Sequence, residues 1–112
     1  MVTLTWTTVD SDGSIFTRGK QGYYAILVRG VPEQHPKDCI IELYLANREM
    51  TISAIKFNAE QKRIRLLSRI VVRGNLSPAQ SVVNAIAELK NTAEIRDKQN
   101  SNGLISSSYT TR

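Results

Sequence analysis

The residues best suited to chemistry in this chain are arginines. From Lys62 to Gly74 the sequence reads KRIRLLSRIVVRG. Read as a strand, this stretch separates by parity, because successive side chains point to opposite faces. Arg63, Arg65, Arg69 and Arg73 fall on one side, with Leu67 and Val71 between them. Ile64, Leu66, Ile70 and Val72 fall on the other, with Ser68 among them. A guanidinium is planar, permanently charged and able to grip a phosphate through two parallel hydrogen bonds. Arginines on one flat sheet face therefore suit a phosphate-bearing partner, with the apolar side going into a core. The plain alternative is a half-exposed or edge strand that its arginines keep soluble.

Other reactive residue types are sparse. His35 is the single histidine and lies in the loop GVPEQHPKD, with no second histidine and only one cysteine in the chain. It reads as a solvated loop residue and not a metal ligand. Cys39 is the single cysteine, which excludes an intrachain disulfide. Its neighbours Ile40 and Ile41 suggest a buried, inert thiol, in keeping with a reducing cytoplasm. A Ser-His-Asp set is not assembled around one histidine, and Glu42 and Glu49 stand isolated instead of paired. Gly19-Lys20-Gln21-Gly22 is too short for a phosphate loop. Asp10-x-Asp12-Gly13 resembles the start of a calcium loop but lacks the closing glutamate, and reads as a turn. The expectation is a protein without catalytic residues, metal or cofactor.

Composition agrees with an anionic partner. The chain has 112 residues, one domain's worth, with 41% hydrophobic residues. It carries a net charge of +5, and five of its 15 basic residues fall in Lys62–Arg73. Nucleic acid is the first candidate and a membrane surface the second. No apolar run approaches the ~18 residues that span a bilayer, and MVTLTWTT lacks the features of a signal peptide. A core of this size is modest, and dimerisation is a natural way to enlarge it.

The elements that must position the arginines follow from periodicity. Val2, Leu4 and Trp6 alternate with threonines as a half-buried strand. Asp10 to Ser14 is a turn, and Ile15 to Arg18 returns as a hairpin. YYAILVR, Tyr23 to Arg29, alternates little and predicts a strand covered on both faces. CIIELYLAN, Cys39 to Asn47, is the next strand, and MTISAIKF, Met50 to Phe57, reads as its return partner. Asn58 to Gln61 then turns into the arginine strand, which gives about six strands in an antiparallel meander over residues 1–74. Ser77-Pro78-Ala79-Gln80 is a capping box, with Leu76 placed to staple it. Val82, Val83, Ile86, Leu89 and Ala93 recur at helical spacing. A helical region over 77–98 follows, as one helix or two, with Asn91-Thr92 as the weak point. Residues 99–112 read as a tail, either disordered or docked through Leu104, Ile105 and Tyr109. The fold class is α+β, an antiparallel sheet followed by C-terminal helix.

This order resembles the coat proteins of single-stranded RNA bacteriophages, the levivirus type. The resemblance lies in Ile15 to Glu49, IFTRGKQGYYAILVRGVPEQHPKDCIIELYLANRE, and in Arg65 to Lys90, which is similar to that family's last strand and first C-terminal helix. It implies a homodimer with one continuous sheet, assembling into an icosahedral virion in the bacterial host cytoplasm. It also implies RNA binding on the sheet face away from the helices, with a genomic hairpin bound for translational repression and packaging. Carried over, Arg63, Arg65, Arg69 and Arg73 would meet RNA, joined by Lys56 on the neighbouring strand. Tyr44 would either stack on a base or belong to the core. Arg73 to Gln80 also resembles the strand-to-helix junction of Whirly-type single-stranded-DNA-binding regulators, which are oligomers. A pleckstrin-homology-like interaction module shares the order of strands then helix.

Overall fold

The computed structural model describes residues 4–8, 14–30, 39–72 and 78–101. These form β1 (Thr7–Thr8), β2 (Ile15–Arg18), β3 (Tyr23–Gly30), β4 (Cys39–Ala46), α1 (Ile52–Glu60), β5 (Arg65–Val72) and α2 (Pro78–Ser101). The strands build one antiparallel sheet in sequence order, β1-β2-β3-β4-β5. An antiparallel sheet followed by a C-terminal helix is the expected architecture. No helix among the described residues is long and apolar enough to cross a membrane.

The two central strands are buried on both faces, which explains their near-continuous apolar character. Tyr24 and Ile26 of β3 and Ile41 and Leu43 of β4 pack with Ala85, Leu89 and Ala93 of α2. Ala25 and Leu27 of β3 and Tyr44 of β4 point the other way and pack with Ile55 and Ala59 of α1. The sheet is thus a middle layer with one helix on each side. Cys39 is half-buried, against the α2-side core.

The helix α1 corrects the expectation of a strand at Met50–Phe57, one of the six expected. Its β-branched residues suggest extended chain, but local capping and tertiary packing outweigh that propensity. Thr51 has extended backbone and its Oγ1 accepts a hydrogen bond from the Ala54 N–H at 3.2 Å, so it caps the helix. Ile52, Ile55 and Ala59 recur on the face that meets the sheet, with Ile55 and Ala59 buried. At the other end the Arg63 N–H donates to the Asn58 carbonyl at 2.8 Å and the Lys62 N–H to the Ala59 carbonyl at 3.1 Å. Lys62 takes the left-handed conformation, φ 58°, that this pair of bonds requires of the residue after the cap.

The second helix, α2, passes through Asn91-Thr92 without a break, and the Thr92 hydroxyl folds back to donate to the Glu88 carbonyl at 3.0 Å. The apolar stripe of Val82, Ile86, Leu89 and Ala93 ends in a carboxylate one turn further on. Asp97 is buried, and accepts from the backbone N–H groups of Lys20 at 3.0 Å and Gln21 at 2.9 Å and from the Tyr24 hydroxyl at 3.1 Å. The β2–β3 turn is thereby fastened to the helix. Gly19 has no room for a side chain there, because a Cβ would stand 2.6 Å from the Tyr24 ring and 2.8 Å from Asp97. Burial, then the Asp97 charge and hydrogen bond, raise the Tyr24 phenol's pKa. The plain turn expected at Asp10 to Ser14, up to Gly13, the loop with His35, the cap at Ser77 and the apolar tail residues lie outside the described residues.

Candidate nucleic-acid interface

The arginine strand does not keep a single parity. Along most of β5 the partners on β4 follow in step, Val72 with Cys39 through Ser68 with Leu43. The next pair is Leu66 with Tyr44, so Leu67 is an additional residue, a β-bulge. One extra residue exchanges the faces for everything beyond it. Arg69, opposite Glu42, and Leu66, opposite Tyr44, face α1, whereas Arg65, opposite Leu45, lies on the α2 side. Ile70 and Val72 pack on the α2-side core together with Leu67. This corrects the parity reading: Arg65 and Arg69 leave the strand on opposite faces.

What unites them is the edge. Among the described residues no strand pairs with the outer side of β5, and Arg63, Arg65 and Arg69 are all exposed. Arg63 precedes β5 and is held by its backbone bond to the end of α1. Arg63 and Arg65 flank a shallow cleft of about 280 Å³, with Gln21 and Asn47 opposite. Arg69 borders a larger cleft of about 600 Å³ between the sheet and the C-terminal end of α1. Ile64 belongs to the walls of both. The two clefts therefore adjoin at the start of β5, and cations rim each of them.

The larger cleft has a charged floor. Glu42 is only 2% exposed. Its Oε1 accepts from the Tyr44 hydroxyl at 3.0 Å and pairs with Arg29 Nη2 at 2.7 Å. Its Oε2 stands 3.9 Å from Arg69 Nη1, beyond hydrogen-bond range. Lys62 and Glu60 add one charge of each sign to the lining, and Ala59, Ile64 and Leu66 supply an apolar wall. Burial, then the Glu42 charge and hydrogen bond, push the Tyr44 phenol up to about 12, while Arg29 and Arg69 pull it back.

Of the residues read from the sequence, Arg63, Arg65 and Arg69 come together along one edge. Arg73 lies outside the described residues. Lys56 is on α1 and not on a neighbouring strand, because its segment is helical. Tyr44 is buried at 5% exposure, as the core reading has it, with its hydroxyl engaged by Glu42. The sequence reading set Glu42 aside as an isolated carboxylate and passed over Arg29, with which it pairs. Their signal was present: each is a charge inside an apolar strand, and a charge buried in a sheet requires a partner. Comparison with protein-family models, with curated proteins and with solved structures finds no match to this chain.

Proposed function

We propose that this protein binds single-stranded nucleic acid, RNA foremost, through phosphate contacts along the β5 edge. The observation that carries the reading is the exposure of Arg63, Arg65 and Arg69 on an edge that adjoins two clefts. Exposed guanidinium groups supply the electrostatic part of such binding, and it needs no base-specific contact. The specific form favoured by the sequence pattern is a self-assembling RNA-phage coat protein, for which the unpaired side of β5 offers an edge to a second copy. In that form α1 lies on the sheet face opposite α2 and would border the RNA surface.

The test is anisotropy of a labelled single-stranded RNA titrated with the full chain at graded salt. Affinity is expected to fall steeply as salt rises. The triple variant with Arg63, Arg65 and Arg69 replaced by Ala should lose at least tenfold and flatten the salt slope by about 2, at ~0.7 per contact on a single strand. Unchanged affinity in a variant that still folds would reject the reading. Particle size then separates its forms. Uniform shells containing RNA identify the coat protein, and a dimer or small ring binding single-stranded DNA equally well identifies a regulator.

A further inference from the structure

We infer that the cleft between α1 and β5 is a subsite for one nucleotide unit, with Arg69, Lys62 and Arg29 taking the phosphate. This deepens the nucleic-acid reading and rests on it for the identity of the polymer. The geometry points to an anion first. Three cations, Arg29, Lys62 and Arg69, and two carboxylates, Glu42 and Glu60, line the space. Glu42 does not saturate the cations. Its Oε1 is committed to Tyr44 and Arg29, and its Oε2 leaves Arg69 at 3.9 Å. Arg29 in turn has a buried Nε with no hydrogen-bond partner. The Arg69 side chain is 54% exposed, so its guanidinium can turn from the carboxylate to a phosphate without being drawn from a core.

The remainder of the cleft suits what a phosphate would carry. At about 600 Å³ the space is of ligand size. The wall of Ile64, Leu66 and Ala59 is apolar, and Leu66 is 44% exposed. An apolar surface beside a cationic rim is complementary to a flat base joined to a phosphate. Inorganic phosphate alone would leave that wall uncovered. In this arrangement Glu42 has a double part. It orders Arg29, and its charge opposes the entering phosphate.

The sign of that second effect gives the test. Full-length protein is titrated by calorimetry with adenosine 5′-monophosphate, with adenosine and with inorganic phosphate, and separately by anisotropy with single-stranded RNA. The monophosphate should bind, and at least tenfold more tightly than either fragment. Arg69→Ala should weaken it about tenfold and Arg69→Lys less. Glu60→Gln and Glu42→Gln should each tighten it several-fold, with the partly separate site of Glu60 keeping the test valid if Glu42→Gln fails to fold. Monophosphate binding that is absent, or indifferent to Arg69→Ala and Glu60→Gln, would overturn the subsite. If RNA binding persists in that case, the subsite alone fails. If RNA binding is absent as well, the edge reading fails with it.

Discussion

Among the described residues each face of the sheet holds one buried carboxylate, and the two are treated differently. On the α2 side, Asp97 is met by two backbone N–H groups and a phenol, all within 3.1 Å. On the α1 side, Glu42 is met by a phenol and one arginine, while a second arginine stays at 3.9 Å in an open cleft. The first carboxylate is saturated by fixed, neutral donors and ties a helix to a turn. The second faces more positive charge than it can neutralise. A buried charge with complete hydrogen bonding fixes structure, whereas in the proposed subsite a carboxylate that leaves cations partly satisfied keeps them available to a ligand. A buried carboxylate thus ties a helix to a turn on one side of the sheet and, in the proposed reading, prepares a binding surface on the other.

Breaking the saturated side should have the largest effect. Asp97→Ala leaves two N–H groups and the Tyr24 hydroxyl without an acceptor, and should cost about 3–4 kcal/mol in urea unfolding. Nucleotide binding per folded molecule should not change. Glu42→Ala should cost less, about 2–3 kcal/mol, because the side chain of Arg29, 39% exposed, can turn to water once its partner is lost. In contrast to Asp97→Ala, it should strengthen phosphate binding. A loss of binding instead would mean that Glu42 matters chiefly by holding Arg29 in place.

The two phenols give a pH test of the same contrast. Tyr44 is raised from 10.0 to about 12 in the folded chain. Its contribution to stability is fully present below the unfolded-state value near pH 10 and is lost as pH rises to about 12. Tyr24 is shifted in the same direction. Denaturation midpoints measured from pH 8 to 12 should therefore fall in the upper half of that range. Tyr44→Phe should make the fall shallower by about 1–2 kcal/mol, with the Tyr24 part remaining. The smallest effect belongs to Lys62, whose left-handed backbone favours glycine. Lys62→Gly should stabilise by about 0.5–1 kcal/mol, yet weaken monophosphate binding by removing a rim cation. Opposite signs in one variant would separate the role of that residue in the turn from its role in the cleft.

The main lines of the fold were legible because they depend on periodicity. The even burial of β3, the pairing of β3 with β4 and the apolar stripe of α2 are all expressed in residue spacing. Met50–Phe57 was misread because Ile52 and Ile55 serve a strand or a helix equally well over so short a run. The capping Thr51, three residues before Ala54, was the clue against a strand. The bulge at Leu67 was not legible. Nothing in RLLSRIVV distinguishes a strand of constant parity from one with an added residue, since apolar side chains occupy both parities. That single residue is why Arg65 and Arg69, read as part of one stripe, leave the edge strand on opposite faces. Asp97 could have been found: it lies four residues after Ala93, on the stripe that goes into the core.

The fastening of the β2–β3 turn also determines how that turn exchanges with solvent. Amide protons in a short surface hairpin are ordinarily replaced by deuterium through local opening. The Lys20 and Gln21 amides are instead held by a side chain 77 and 76 residues later in the chain. They can be released only when the end of α2 lifts from the sheet. Their exchange should follow undocking of the helix and not fraying of the hairpin, so two turn amides near the N-terminal end report on the attachment of the last helix.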